Sequence, residues 1–306
     1  MKYTHHILMA LCSLLPLAAG ADTTAESSRS VLSPQESGYP EKVVQLHVTP
    51  TGKESLRTPV ARYKNAEGRT VDLVGAIHLA DARYYLALNR TFARYDKVLY
   101  EMVDGEDMPE MVRISRKMEQ GIATDEEKQR FFAYHASRAS STSGKLLGSY
   151  YAYMAKLMNL SLQVDVVDYG LENWIHADMS TEEFEAAMAE RGESWYTLVL
   201  DSLKENSASQ SGTSLLAAFD AKELRRLVCR QLADSATGSR SESRAIIVSR
   251  NEKCFAVLDR VLAEYPEARR LGIFYGAMHL RDMHHRLLKR GFELQGVQWI
   301  TAVRVD

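Results

Sequence analysis

Two stretches of the chain place a histidine three residues beyond a glycine in matching surroundings. Residues 75–86 read GAIHLADARYYL, and residues 276–287 read GAMHLRDMHHRL. At a constant offset of 201 they agree at Gly, Ala, His, Leu, Asp and Leu. An apolar run precedes each glycine, and a helical pattern follows each histidine. Glycine lets a chain leave a strand sharply or pass close to another backbone. In an α/β sheet, ligand sites form at the carboxyl ends of the strands. His78 and His279 would converge there if their strands are neighbours. Imidazoles so placed either ligate a divalent metal or carry a proton. Asp81 and Asp282, three residues further on, suit helix capping or orientation of an imidazole.

Glu101 is the third candidate. It follows Val98-Leu99-Tyr100, at the end of the next apolar run. A carboxylate emerging from such a run needs a partner or water. With His78 and His279 it would complete two imidazoles and one carboxylate around zinc, or around iron or manganese where further oxygens join. It would otherwise act as a general base on a water molecule. His176, Asp178 and Asp168 rank behind it, with Asp178 read as positioning the middle region. His284 and His285 read as surface residues of a helix. Cys229 and Cys254 are open between a disulfide and two buried thiols. The chain has no His-Glu-x-x-His run, no Gly-x-Ser-x-Gly elbow and no glycine-rich phosphate loop, which excludes a conventional zincin, an α/β-hydrolase elbow and a nucleotide fold by motif.

The elements that must position these residues alternate. Strands are expected over 43–48, 60–63 and 71–74, the last two joined across Asn65-Ala66-Glu67-Gly68. A helix over 81–95 and a strand over 97–103 follow. Helical patterns then cover about 125–137, 145–160, 181–190, 195–206 and 220–233, with Ser180 and Glu183 as a capping box. A short strand is expected over 164–168. A helix over 245–265, a strand over 271–275 and a helix over 283–289 come next. Two closing strands, about 291–294 and 296–304, would pair across Gly296. The pattern is that of an α/β (α+β) domain over residues 42–306. Its central mixed sheet would carry two similar strand–Gly-x-x-His–helix units, with a largely helical insertion at about 111–240.

Charge and the N-terminus narrow the classes. Lys plus Arg number 38 against 40 Asp plus Glu, a net charge of -2, so no basic excess exists to hold a nucleic acid. Lys2 precedes an apolar run from Ile7 to Ala19, shorter than the roughly 20 residues of a spanning helix, and Ala19-Gly20-Ala21 supplies small residues for signal cleavage after Ala21. Residues 1–21 therefore read as a signal peptide and 22–41 as a polar, flexible leader. The mature protein is expected in the periplasm or outside the cell, without a stable membrane span.

Taken together, these motifs resemble the TraB/GumN family, which is related to the Tiki metalloproteases and more distantly to ChaN-type haem-binding and erythromycin-esterase-like proteins. The resemblance runs over about 43–302. It is carried by VGAIHL at 74–79, YE at 100–101, ADMSTEEF at 177–184, SRN at 249–251, YGAMHLRDM at 275–283 and Gly291. It implies that His78, Glu101 and His279 share one site. Arg250 would face that site as an anion clamp or as a partner of Glu101. It further implies a metal-dependent peptidase or hydrolase, using manganese, cobalt, zinc or iron, on exported peptides, proteins or small molecules. Three alternatives stand beside it: a haem- or iron-binding envelope protein without turnover, a metal-free esterase-like hydrolase, and an envelope protein with a decayed site. The number of subunits is left open.

Overall fold

The computed structural model describes residues 38–40, 42–138, 142–190, 220–235 and 245–305. The expected signal peptide, most of the leader and the expected helix at 195–206 lie outside them. Among the described residues, no helix is long and apolar enough to cross a membrane.

The strands are β1 (Gln45–Val48), β2 (Glu54–Lys64), β3 (Thr70–Ala76), β4 (Leu79–Ala80), β5 (Lys97–Tyr100), β6 (Ser161–Leu162), β7 (Trp174–His176), β8 (Arg270–Gly276) and β9 (Glu293–Arg304). The helices are α1 (Ala82–Phe92), α2 (Met108–Glu119), α3 (Asp125–Arg138), α4 (Thr142–Leu157), α5 (Gln163–Val166), α6 (Thr181–Ala189), α7 (Ala221–Ser235), α8 (Ala245–Glu264) and α9 (Leu280–Lys289). The result is a mixed α/β fold, with a central mixed sheet flanked by helices.

The sheet runs β1-β2-β3-β8-β5-β7, with β9 along the other edge of β2. β3, β8, β5 and β7 are mutually parallel, whereas β2 pairs antiparallel with β1, β3 and β9. Parallel strands carry helices on both faces, so they read as continuous apolar runs rather than alternating ones. β3 and β8 follow that rule, each buried at six successive positions. Leu73, Val74, Val98, Leu99, Ile273 and Phe274 form the centre of the core. A smaller cluster joins Leu79, Tyr151, Met154, Met158, Leu162 and Leu224 under α4 and α7.

Because β3 and β8 are adjacent and parallel, both glycine-histidine corners leave the sheet at the same end. The backbones crowd there: a Cβ on Gly75 would lie 3.0 Å from Pro59 and 3.2 Å from Leu280, which is why the corner takes glycine.

Several expectations are corrected. The segment 164–168, expected as a strand, begins as the short helix α5, because β6 ends at Leu162. The closing hairpin is instead the single strand β9, whose register with β2 shifts beside Gly296; a bulge absorbs the glycine without reversing the chain. The strand expected over 97–103 stops at Tyr100, so Glu101 sits just past the strand end. Three features escaped the sequence reading: α2, β7 and the small β4–β6 pair. Cys229 and Cys254 are both buried thiols.

Candidate functional site

The site is assembled from three supports. The first is the carboxyl ends of β3, β5 and β8. The second is α8, which presents a stripe of Ile247, Arg250, Asn251, Cys254, Leu258 and Val261 to the core, all buried. Two polar residues on an otherwise apolar stripe need internal partners. The third is the β7–α6 connection, which carries Asp178 ahead of the Ser180–Glu183 capping box.

Glu101 is the hub. Its Oε2 accepts the Gly276 amide at 2.5 Å. Its Oε1 lies 2.7 Å from Arg250 Nη2 and 3.5 Å from His279 Nε2. Burial works against the charge on Glu101, but Arg250 first, then His279, His78 and the Gly276 amide, bring its pKa down to about 2. Glu101 is therefore a carboxylate throughout the physiological range.

Arg250 is 1 % exposed. Its Nε and Nη2 form a two-point fork with Asp178, at 2.9 Å and 2.5 Å, while Nη2 also reaches Glu101. Burial opposes its charge, yet Asp178 and Glu101 outweigh that and hold the guanidinium protonated. The structure thus places Arg250 as the partner of Glu101, anchored by Asp178.

His279 is 2 % exposed. Its Nδ1 lies 2.7 Å from Asn251 Oδ1. Asn251 Nδ2 lies 2.8 Å from Asp282 Oδ2 and 3.2 Å from the His279 carbonyl. A carboxylate and a carbonyl only accept, so the end of Asn251 facing them is its amide, and the end facing His279 is its oxygen. Nδ1 of His279 must then carry the hydrogen. Burial, against the pull of Glu101, lowers the pKa of His279 to about 4, so the ring is neutral at pH 7. The Nε2 lone pair consequently faces the carboxylate of Glu101 across 3.5 Å. Two acceptors turned toward each other fit a shared proton donor or cation between them.

His78 is half-buried at the end of the neighbouring strand, its ring edge-on to Tyr151 with centroids 6.1 Å apart. It is close enough for its charge to act on Glu101. Burial, partly offset by Glu101, lowers its own pKa. The structure therefore brings Glu101, Arg250 and His279 into contact, with His78 beside them.

The donor set can be tested against a metal. Two donors held by one ion at about 2.0–2.2 Å each are at most about 4.4 Å apart. The 3.5 Å between Glu101 and His279 lies within that limit. Among the described residues, no three His, Cys, Asp or Glu side chains are grouped as closely as a complete metal site requires.

The remaining candidates go elsewhere. Asp168 pairs with Arg116 at 2.5 Å, and His176 Nε2 donates to the Met102 carbonyl at 2.6 Å. His284, expected at the surface, is 1 % exposed. It stacks on Tyr39 with centroids 4.5 Å apart, and its Nδ1 meets the Tyr63 hydroxyl at 2.8 Å. The helix α9 turns that position inward, beside Met283 and Leu287. Asn251 closes the SRN motif, and its place on the apolar stripe of α8 is the sequence signal that marks it.

No protein-family model, curated protein or solved structure matches the chain.

Proposed function

We propose that the chain is a hydrolase of the TraB/GumN kind, whose reaction centre is the cleft holding His78, Glu101, Arg250 and His279. In this reading the two glycine-histidine corners are a duplicated device that delivers one imidazole each, and the substrates are exported peptides, proteins or small molecules. The observation that carries the reading is the neutral His279 Nε2, presented to an ionised Glu101 at 3.5 Å.

With the His78 ring drawn in toward Glu101 and His279, which already lie 3.5 Å apart, the three would hold a divalent ion, of manganese, cobalt, zinc or iron. When bound, such an ion polarises a carbonyl and makes water more acidic. The chain's own residues do the rest. Glu101 supplies permanent negative charge. Its carboxylate accepts a proton from the attacking water and returns it to the leaving group, while His279 Nε2 stays with the ion. Asn251 keeps the ring in the tautomer that leaves Nε2 bare. Arg250 holds Glu101 in place and keeps it ionised, and Asp178 holds Arg250.

One observation favours a second reading, a metal-free hydrolase: Arg250 already sets a fixed cation 2.7 Å from Glu101 Oε1. In that reading Glu101 and His279 work as an acid–base pair unaided.

Elemental analysis of the gently purified mature protein, beside assays on amide and ester substrates before and after chelation, separates the two. A stoichiometric metal lost in His279→Ala, with activity abolished by chelation, supports the first. Full activity after exhaustive chelation selects the second. Full activity in folded His78→Ala and His279→Ala proteins, or a haem spectrum without any turnover, would overturn both.

A further inference from the structure

The two carboxylates that hold Arg250 ride on separate segments. Glu101 opens the loop that follows β5, and Asp178 lies in the connection between β7 and α6. Asp104, three residues beyond Glu101, ties the two segments together. Its amide donates to the Met179 carbonyl at 3.2 Å. Its Oδ1 accepts the Thr181 amide at 2.8 Å, and its Oδ2 accepts the Thr181 hydroxyl. Thr181 is the first residue of α6, where backbone N–H groups lack partners within the helix and negative charge is favoured. The Ser180 side chain takes the Glu183 amide and leaves that of Thr181 to Asp104. Asp104 reaches it from a left-handed backbone, with φ at +52°, a conformation that Asp and Asn adopt more readily than most side chains. Two further ties run between the same segments: the Ala177 amide donates to the Tyr100 carbonyl at 3.2 Å, and His176 Nε2 to the Met102 carbonyl at 2.6 Å.

We propose that Asp104 is the positioning residue of Glu101: it locks the Glu101 loop to the first turn of α6, so that Glu101 and Asp178 both meet Nη2 of Arg250 at once. Two carboxylates on one nitrogen repel each other, and loops free to move would let Glu101 swing away from Arg250 and His279. What Glu101 then does rests on the hydrolase reading; where it is held does not.

The Gly276 amide reports the position of Glu101, because it donates to Oε2 from a different strand at 2.5 Å. Hydrogen exchange followed by NMR on the purified full chain reads that amide beside those of Leu271 and Ile273 in the same strand. Asp104→Gly keeps the left-handed turn without the side chain. It should speed exchange at Gly276 by about tenfold more than at Leu271 and Ile273, the worth of a hydrogen bond to a charged group. Asp104→Asn tolerates the same φ and keeps an accepting oxygen, so it should restore the wild-type rate. A wild-type Gly276 amide that exchanges freely, equal acceleration of all three amides in Asp104→Gly, or no recovery in Asp104→Asn would overturn the proposal. If Asp104→Gly fails to fold, Thr181→Val, which removes one of the two donors, decides it. Exchange about threefold faster at Gly276 alone supports the assignment, and an unchanged rate sinks it. In an active enzyme kcat should fall together with the Gly276 protection while KM holds. The expected exchange pattern in a protein without hydrolytic activity would defeat the hydrolase reading alone; an active enzyme whose Gly276 amide ignores Asp104→Gly would defeat this one alone.

Discussion

The two corners begin alike and end differently. After Gly75 the chain bends at His78, which is half-buried, and re-enters a strand at Leu79–Ala80 that pairs with the insertion. After Gly276 it winds into a 3-10 turn over Ala277–His279, His279 is buried, and α9 starts at once. The helices that follow also pack on different faces. α9 buries Leu280, Met283, His284 and Leu287, whereas α1 buries Tyr84, Tyr85, Leu88 and Phe92. Leu86 and Leu287 occupy matching places in the repeated pattern, yet Leu86 is 50 % exposed and Leu287 is fully covered. Both strands thus end within a residue of the shared glycine, but the shared residues do not fix the path beyond it. What lies above each corner decides how its histidine is held: α8 for His279, the β6–α5 segment for His78.

The contrast breaks most severely at Arg250, the charge on which the His279 side depends. Arg250→Leu leaves Asp178 and Glu101 buried without their cation. Removing one partner of such a pair typically costs about 3–5 kcal/mol, which urea unfolding would measure. Retained stability would mean that water reaches both carboxylates. The next effect tests the helices. Leu287→Ala should cost about 2–5 kcal/mol by removing a buried side chain. Leu86→Ala, at the matching position, should stay within about 0.5 kcal/mol, as surface changes do. Equal losses would show that the two helices bury the same face after all.

Much of this was legible in the chain because it depends on local chemistry. The apolar runs of β3 and β8, the glycines after them and the capping box at Ser180 all appear where their residues point. Glu101 at the end of an apolar run and His78 and His279 at parallel corners follow from the same signals. What the sequence hid depends on tertiary contact. Trp174–His176 is only three residues long and becomes a strand because β5 offers it an edge. Val164 and Val166 have strand propensity, but the β4–β6 pair ends just before them and the chain turns. The carboxamide of Asn251 is invisible as a site group until α8 is folded against the second corner. His284 looked like a surface residue because its copy partner, Arg83, is one.

His284 gives the second corner a further pH dependence, at a position where the first corner has Arg83. Burial, aided by His285, lowers its pKa from 6.5 to about 4. Its neighbours are Tyr39 and Tyr63 from the sheet side, with His285 on its own helix. The native state withholds a proton that the unfolded chain binds below about pH 6.5, so stability must fall as pH drops from 6.5 toward 4. The loss is on the order of 2–3 kcal/mol for a shift of this size. His284→Leu should flatten part of that slope in thermal unfolding scans between pH 4 and 7. His279 and His78, both shifted in the same direction by burial, contribute to the remainder. An unchanged slope in His284→Leu would show that this ring takes up its proton without unfolding anything.

The smallest expected effects separate the two aspartates that the repeated pattern equates. Asp282 Oδ2 accepts from Asn251 at 2.8 Å and from Arg286 at 2.5 Å, so it acts on His279 through Asn251. Asp81 Oδ2 instead accepts the Arg304 amide at 3.0 Å, tying the start of α1 to the end of β9. Neither carboxylate caps its own helix. Asp282→Ala should therefore lower kcat by about tenfold, the lesser end of what outer partners of a reactive histidine contribute, with KM little changed. Asp81→Ala should leave kcat alone and cost about 1–2 kcal/mol of stability from one buried hydrogen bond. Equal losses of kcat in the two variants would mean that the first corner reaches the reacting atoms through its aspartate as well. The division of labour would then lie between the histidines alone.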